Sequence, residues 1–491
     1  MLFNSLHFIV FFPVVLLLNF ITPLRFRYLI LLACSYYFYM CWNAKYALLL
    51  LFSTVVTYLS GLLIKRYEGH NSKQKLCVAF SFILNLAVLF FFKYYNFAFD
   101  SLSAVLARFH IALHKPAFDV LLPVGISFYT FQALSYTMDV YRGEIYAEKN
   151  FFRYALFVTF FPQLVAGPIE RSKNLLKQLA IPQRFDFERF RDGLLLMLWG
   201  YFLKIVLADR IAIFVDTVYG NIAKFGGWYL VVASVLFAFQ IYCDFAGYSV
   251  IAMGASEILG IRLMENFNAP YLSMSVAEFW HRWHISLSTW FRDYLYIPLG
   301  GSRKGTLRKY LNVMIVFLVS GLWHGAEWSF VIWGGLNGLF QVVGSITKPL
   351  RDRIVKLLCL NSDSGAHKLM QILVTFIMVD FAWIFFRAKN INEAIAVLKS
   401  IWTVYNPWIF FDGSLYNCGL SRPDFSLMLN CLLILIGADI AKYRGIKVRE
   451  FISRQDYWFR WIVLAGSALL ILLVGIWGPG YNEANFIYFQ F

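Results

Sequence analysis

Long apolar runs recur along the whole chain, and this pattern limits what the chain can fold into. Crossing the ~30 Å hydrocarbon core of a bilayer takes about 20 mostly apolar residues in a helix. Candidate runs lie near residues 5–22, 27–43, 46–64, 77–96, 118–137, 152–168, 192–216, 228–252, 310–326, 328–346, 369–387, 424–441 and 459–478. Because several runs are short or interrupted, we expect roughly eleven or twelve of them to cross. The pattern predicts an all-α, polytopic integral membrane protein in which residues 1–491 form one domain.

The composition supports this class and excludes others. Of all residues, 60% are hydrophobic and 15% are charged, whereas soluble domains have roughly 45–50% apolar and about 25% charged residues. The seven cysteines are an odd number and include no C-x-x-C pair, so we expect neither a disulfide framework nor a metal site. No basic residue precedes the first apolar run, so we expect a retained helix there and not a cleaved secretory signal.

The positive charge marks particular loops. A net charge of +16 would suggest a nucleic-acid partner in a soluble protein. Here Lys and Arg cluster in gaps between apolar runs, within residues 65–75, 171–191, 303–309, 348–356 and 442–454. The positive-inside rule assigns these loops to the cytoplasm and predicts that the N-terminus lies outside. We therefore expect no nucleic-acid partner.

One apolar run is surplus to this topology. Between the first two basic loops an even number of crossings is required, yet three runs lie there. We expect the run 118–137, which contains Pro123 and Gly125, to be re-entrant. Broken backbone at membrane depth is tolerated only where it is buried in protein or lines a cavity.

Three histidines are candidates for chemistry. His324 lies at the junction of two apolar runs, and an ionisable side chain at membrane depth is a functional-site candidate. The alternative is a structural histidine that bonds a neighbouring helix. His281 and His284 lie in the polar and aromatic segment 278–293, which predicts an amphipathic helix that lies at the membrane interface or dips into a cavity.

Asp244 is a further ionisable residue within an apolar run. One possibility is that it orients or charge-balances an imidazole. The other is that it joins Lys204, Asp209 or Arg210 in a structural network. The sequence alone does not separate these alternatives.

A buried histidine favours proton abstraction from a hydroxyl. A neutral imidazole with a pKa near ~6.5 can act as a base, and a positioned base accelerates a reaction by about 10²–10⁴. The chain has no G-x-S-x-G elbow, H-E-x-x-H motif or glycine-rich phosphate loop. Two interpretations remain open for one basic loop. It either holds the phosphates of a nucleotide-linked acyl donor, or its positive charge reflects only the positive-inside rule. Its residues are Arg303, Lys304, Arg308 and Lys309.

Five segments, in the same order, resemble motifs of one family. They are LPVGISFYTFQ at 122–132, FFPQLVAGPI at 160–169, DFAGYS at 244–249, WHISLS at 283–288 and GLWHG at 321–325. The ending FIYFQF at 486–491 is of the same kind. On these motifs the chain resembles the membrane-bound O-acyltransferase family, and within it the bacterial alginate O-acetyltransferase branch.

The resemblance implies a fold, a reaction and site residues. The family fold is a ring of tilted helices around a central funnel in which donor and acceptor meet. His324 matches the family's catalytic histidine, and His284 matches its second functional histidine. Relatives more often carry histidine at the position of Asn337 and arginine at that of His281, so we expect these two residues to bear on donor or partner choice.

The resemblance also implies substrates and partners. An acetyl group from a cytoplasmic donor, acetyl-CoA, would pass outward across the bacterial inner membrane, with no bound cofactor. An extracytoplasmic partner of the Ser-Gly-Asn-His (SGNH) hydrolase type would complete its transfer to an exported, alginate-like polysaccharide. Polysaccharide synthase or export machinery would be a further partner.

Three alternatives remain open at this point. The related D-alanyl transfer protein of teichoic acid modification takes its acyl group from a carrier protein. A polymer transporter, or one coupled to protons, would use the histidines as a relay and predicts inverted repeats with paired broken helices, of which the sequence offers one without a mate. A non-catalytic membrane anchor for a secretion complex is the third.

Overall fold

The computed structural model of the protein describes residues 1–113, 122–165, 167–477 and 486–487. Within these residues every regular element is helical. The first nine α-helices are α1 Leu6–Ile21, α2 Arg27–Met40, α3 Ala47–Arg66, α4 Asn71–Leu89, α5 Tyr95–Ala107, α6 Ile126–Tyr141, α7 Phe151–Thr159, α8 Phe161–Leu164 and α9 Ser172–Ala180. They are followed by α10 Phe187–Tyr201, α11 Asp209–Gly220, α12 Trp228–Ile258, α13 Val276–Arg282, α14 Ile285–Phe291, α15 Thr306–His324 and α16 Trp328–Leu357. The last are α17 Gly365–Arg387, α18 Ile391–Thr403, α19 Arg422–Tyr443, α20 Val448–Ser453 and α21 Tyr457–Val474.

Two compact units can be distinguished. The first comprises Met1–Met197 and Ala252–Met264, and the second comprises Leu198–Ile251 and Glu265–Phe491. In the first unit α3 packs against α4 and α6, and α2 packs against α7. In the second unit α16 packs against both α15 and α17, and α13 contacts α16 and α17. The partition into a single domain stays a prediction.

Seven helical segments among the described residues are long and apolar enough to cross a membrane. They are Ala44–Arg66, Asn71–Ala107, Trp228–Ile258, Trp328–Leu357, Gly365–Arg387, Arg422–Tyr443 and Tyr457–Val474. Each run predicted from the sequence contains helix in its described part, although 122–125 and the end of run 152–168 are irregular, and the all-helical, multi-pass class is confirmed. Several runs hold shorter helices, such as α1 with 16 residues and α2 with 14. The expected total of roughly eleven or twelve crossings therefore stays a prediction.

The backbone changes direction where the re-entrant segment was expected. Gly125 has φ +75° and immediately precedes α6, and a Cβ atom there would lie 2.7 Å from the Leu164 carbonyl oxygen. Nearly every residue of α6 is buried. In the irregular backbone before α6, Pro123 is buried and its neighbours Leu122, Val124 and Gly125 are half-buried. Residues 118–121 lie outside the described residues, and re-entrance itself stays a prediction.

The pairing of α15 with α16 positions the candidate chemistry. A Cβ atom on Gly321 would lie 2.3 Å from the Phe330 carbonyl oxygen, and one on Gly334 would lie 2.2 Å from the Phe317 carbonyl oxygen. Such distances leave no space for a side chain, so the two backbones are in direct contact. This close approach fixes the C-terminal end of α15, where His324 is the last helical residue.

Candidate active site

His324 lies in an aromatic enclosure within the second unit. Its side chain is 4% exposed. The ring centroid is 4.9 Å from those of Trp323 and Trp333 and 5.4 Å from that of Phe386, with all three partners meeting the imidazole edge to face. Aromatic contacts of this kind stabilise one ring orientation. The imidazole is therefore held between α15, α16 and α17, away from bulk water.

A second layer of indole rings supports this enclosure. Trp383 stacks on Trp333 with ring centroids 5.7 Å apart and lies 5.2 Å from Trp283. Trp280 meets Trp333 at 5.6 Å. Because these rings come from α13, its C-cap residue, α16 and α17, they connect the His324 enclosure to the segment that carries His284.

His284 lies at a break between two short helices. Ser275 begins α13 by accepting a hydrogen bond from the Glu278 N–H at 3.1 Å, and α13 ends at Arg282. His284 then adopts φ +43° and ψ +54° and begins α14 at Ile285. The prediction of a continuous amphipathic helix over 278–293 is wrong at this point. A left-handed non-glycine residue costs about 1–3 kcal/mol and persists only where its surroundings fix it.

Asn266 supplies that constraint. The Ile285 N–H donates to the Asn266 backbone carbonyl at 2.9 Å, while the Ser286 N–H and Ser286 Oγ donate to Asn266 Oδ1 at 3.2 and 2.8 Å. A backbone N–H can only donate, so this side-chain atom must be the amide oxygen. His284 Nδ1, at 3.1 Å from the same oxygen, is then the protonated nitrogen of the neutral ring. The tautomer assigned in this way leaves Nε2 with a lone pair.

Burial keeps the His284 imidazole neutral. The side chain is 0% exposed, and it lies between α13 and α14, outside the seven candidate membrane spans. Removal from water disfavours the charged ring and lowers the pKa of His284 to about 3. A neutral, singly protonated imidazole is therefore the state expected across physiological pH.

The structure brings His284 and His324 together. Their ring centroids are 6.4 Å apart and the ring planes are inclined by 61°. The His284 ring also lies 4.7 Å from Phe245 and 6.0 Å from Trp323. Two imidazoles in one apolar enclosure can accept a proton, donate a hydrogen bond and exclude competing water.

Asp244 belongs to a buried charge network. Its Oδ1 lies 2.7 Å from Lys204 Nζ, which also lies 2.8 Å from Asp209 Oδ1. The other carboxylate oxygen, Oδ2, accepts the Ile487 N–H at 2.8 Å. Of the two alternatives for Asp244, this geometry matches the structural network. Asp244 is linked to the site through its neighbour Phe245, which contacts the His284 ring.

The remaining predicted site residues are Asn337, His281 and the four basic residues near the start of α15. Asn337 accepts from Trp280 Nε1 at 3.1 Å and so holds this ring of the indole layer, and it donates to the backbone carbonyl of Trp333, one turn earlier on α16, at 2.8 Å. His281 is exposed on α13 and lies outside the enclosed group. The basic residues stand before α15 or in its first turns, at the end opposite His324. They are Arg303, Lys304, Arg308 and Lys309.

Sequence reasoning missed Asn266 and much of the aromatic enclosure. An asparagine in an irregular segment carries no chemical signature, and its pairing with His284 spans 18 residues of chain. Trp333 and Phe386 lie on two further helices, α16 and α17, so no local pattern connects them with His324. No group of three or more His, Cys, Asp or Glu side chains that could hold a metal occurs in the described part of the chain.

The fold and this site together define a class of protein. Multiple apolar helices and buried ionisable groups in one enclosure define a multi-pass membrane protein with a functional site among its helices. A model of the membrane-bound O-acyltransferase family matches residues 31–386. The chain belongs to this family, and it is an O-acyltransferase.

Individual relatives are named for acyl transfer to different polymers. The probable alginate O-acetylase AlgI of Azotobacter vinelandii is 36% identical over 457 residues, which cover 92% of this chain and 86% of the relative. The peptidoglycan O-acetyltransferase of Helicobacter pylori is 34% identical, with coverage of 94% and 91%. The teichoic acid D-alanyltransferase of Bacillus subtilis is 26% identical, with coverage of 58% and 73%.

Proposed function

We propose that the protein passes an acetyl group from a cytoplasmic donor across the membrane for O-acetylation of an exported, alginate-like polysaccharide. Relatives named for the acylation of alginate, peptidoglycan and teichoic acid support acyl transfer to a cell-envelope polymer. The single observation that carries the chemistry is the pair of enclosed imidazoles, His284 and His324, with ring centroids 6.4 Å apart.

In the proposed reaction His324 acts as the general base. Its imidazole takes the proton of an acceptor hydroxyl as that oxygen attacks the carbonyl carbon of an acetyl thioester. The new C–O bond forms, the C–S bond breaks, and the leaving thiolate takes the proton from the imidazolium. A positioned base of this kind is worth about 10²–10⁴ in rate, and the aromatic enclosure keeps water from competing for the acetyl group.

His284 has a supporting role in this scheme. Its Nδ1–H is committed to Asn266 Oδ1 at 3.1 Å, which fixes the ring and leaves Nε2 as a hydrogen-bond acceptor. Because burial lowers its pKa to about 3, the His284 imidazole stays neutral at neutral pH. It is suited to orient the acceptor hydroxyl or the imidazolium that forms.

The donor side of the proposal rests on charge. Acetyl-CoA is the proposed donor. The basic residues before and at the start of α15, of which Arg303, Lys304 and Arg308 are exposed, are candidates to hold its phosphates. At 1.5 Å per residue, the 16 residues from Arg308 to His324 extend about 24 Å along α15. A donor anchored there would have to extend along most of this helix to bring its acetyl group to the enclosure. The positive-inside rule places this basic end in the cytoplasm and the N-terminus outside.

The proposed location and partners follow from the same scheme. The protein lies in the bilayer of a bacterial inner membrane as a multi-pass protein. An SGNH-hydrolase-like acetyltransferase outside the membrane would receive the acetyl group and transfer it to polymer hydroxyls. Polysaccharide synthase or export machinery would supply the polymer.

A second candidate function is D-alanyl transfer to an envelope polymer. The D-alanyltransferase relative favours it, although the match covers 58% of this chain. The same enclosed imidazole would serve as the base, because both reactions move an acyl group from a thioester to a hydroxyl. The candidates differ in the acyl group and its carrier.

Ester analysis separates the two candidates. Exported and wall-bound polymers from cells lacking the protein, and from complemented cells, are treated with mild alkali, and the released acetate and D-alanine are measured. We expect acetate esters to be lost without the protein and restored by complementation. Loss of D-alanine with unchanged acetate would support the second candidate, and unchanged levels of both would refute envelope acylation.

A further inference from the structure

A basic cavity lies in the first unit and takes no part in the proposed chemistry. Its volume is about 300 Å³, at the lower end of the range typical of small-molecule sites. Residues from α1, α2, α7 and α9 line it together with the loop that follows α9. Its lining includes Arg25, Arg27 and Arg153 and no carboxylate.

Two of the three guanidinium groups have hydrogen-bonding capacity left for a ligand. Arg27 is the structural member, since it donates to the carbonyls of Thr22 at 3.1 Å and Phe20 at 3.2 Å and also to that of Gln183. Arg25 is exposed. Arg153 lies 3.5 Å from one carboxylate, but its Nε is buried and has no hydrogen-bond partner among the described residues. An anion with several oxygen acceptors, such as a phosphate, matches this donor set.

Asn19 adds a second, independent observation. Its side chain lines the cavity and is 2% exposed, yet Oδ1 has no hydrogen-bond partner among the described residues. A buried amide oxygen without a donor costs about 1–3 kcal/mol. An N–H or O–H group on a bound molecule would satisfy it. The cavity thus presents donors for an anion beside an acceptor for a hydroxyl.

The rim of the cavity is apolar and exposed. Leu24 and Ile181 line it and are 38% and 64% exposed. On α1, next to Asn19, Leu17 and Leu18 are 60% and 43% exposed. A patch of exposed apolar side chains at such a rim suits contact with lipid acyl chains. A ligand with a charged end and an acyl end would contact both the arginines of the cavity and its apolar rim. A soluble phosphate would contact only the arginines.

We propose that this cavity binds the headgroup of an anionic phospholipid that bears a headgroup hydroxyl, of which phosphatidylglycerol is the type. The phosphodiester lies against Arg25 and Arg153, and a headgroup hydroxyl donates to Asn19 Oδ1. The acyl chains follow the exposed apolar surface of α1. The acylation chemistry plays no part in this binding.

The test measures lipid binding by the full-length protein in detergent, after removal of endogenous lipid. Phosphatidylglycerol, phosphatidylcholine and soluble glycerol 1-phosphate are titrated, and the bound molecules are quantified by native mass spectrometry. The cavity variant combines Arg25→Gln and Arg153→Gln. The matched control combines Arg66→Gln and Lys75→Gln, which remove the same charge from exposed positions.

The proposal predicts that phosphatidylglycerol binds at least tenfold more tightly than phosphatidylcholine. The cavity variant should bind phosphatidylglycerol about tenfold or more weakly, because charge-assisted hydrogen bonds are lost, while the control should be unchanged. Equal binding by the cavity variant and the control would overturn the proposal. Equally tight, cavity-dependent binding of glycerol 1-phosphate would overturn the assignment to a lipid.

A second variant tests the hydroxyl. Asn19→Leu removes an unpartnered polar atom, so the fold should be retained with an unchanged or higher melting temperature. We expect this variant to lose the preference for phosphatidylglycerol over phosphatidylmethanol, an anionic phosphodiester lipid of the same charge that has no headgroup hydroxyl. An unchanged preference in a folded Asn19→Leu protein would overturn the role of Asn19.

Discussion

Acidification should destabilise the folded protein through His284. The side chain is 0% exposed, and burial lowers its pKa to about 3, whereas an unfolded chain has the ordinary histidine value of about 6.5. Between these two values the unfolded state binds a proton that the folded state does not bind. Stability is therefore full above pH 6.5 and is lost progressively as the pH falls toward 3.

The expected magnitude follows from these two pKa values. Between pH 7 and pH 5 the unfolded state gains most of a proton at His284 and the folded state gains almost none. The corresponding loss in free energy of unfolding is about 2 kcal/mol. No discount for solvent screening applies, because the imidazole is fully enclosed.

The assay compares unfolding of purified protein in detergent at pH 5 and pH 7. The informative variant is His284→Asn, since asparagine tolerates the left-handed backbone at φ +43° and its amide can donate to Asn266. We expect this variant to lose about 2 kcal/mol less than the wild type on acidification. His110→Asn is the matched control, because His110 also has a positive φ but is exposed.

A specific outcome would refute this reasoning. If wild type and His284→Asn lose the same stability between pH 7 and pH 5, His284 takes up its proton in the folded state. The lowered pKa attributed to burial of His284 would then be incorrect. An effect of His110→Asn as large as that of His284→Asn would show that burial is not the cause.

Two further predictions concern packing and buried charge. Gly321→Ala should lower the melting temperature markedly, because its Cβ would lie 2.3 Å from the Phe330 carbonyl oxygen. The control Gly344→Ala, on the open side of α16, should leave the melting temperature unchanged or raise it. Thermal unfolding of both variants checks this, and equal effects would contradict the close contact of α15 and α16. Lys204→Met should lower the free energy of unfolding by about 3–5 kcal/mol, because the buried carboxylates of Asp209 and Asp244 lose their cation. The control Lys447→Met removes an exposed ion pair with Glu450 and should cost less than about 1 kcal/mol. Similar losses in denaturant unfolding would contradict a buried network.

The helices and their class could be predicted from the sequence because membrane helices depend on local composition. Runs of about 20 apolar residues specify a helix wherever they occur, since every backbone group must be satisfied within the segment. The break before α6 was also predictable, because Pro123 and Gly125 interrupt the run that contains them.

The break at His284 was not predictable from local sequence. The segment 278–293 contains neither glycine nor proline, and its polar and aromatic pattern is compatible with one helix. The conformation is instead fixed by Asn266, which receives hydrogen bonds from Ile285, Ser286 and His284. A residue 18 positions away in the chain outweighs the local preference for helix.

The partners of Asp244 also could not be predicted from the local sequence. Its cation, Lys204, lies 40 residues earlier, on the π-helical segment Phe202–Ala208, and its backbone donor Ile487 lies 243 residues later. Residue type alone indicates only that a buried carboxylate needs partners. Which partners it has is decided by the tertiary packing of the second unit.

The most direct test of the account is the ester content of the exported polymer in cells whose only copy of the protein carries His324→Gln. Membrane abundance is measured alongside, and His70→Gln, at an exposed position just before α4, is the control. Loss of a general base predicts a rate lower by about 10²–10⁴, and thus acetyl esters near the level of cells lacking the protein, with normal esters in the control. Normal acetylation by His324→Gln at normal abundance would contradict the account.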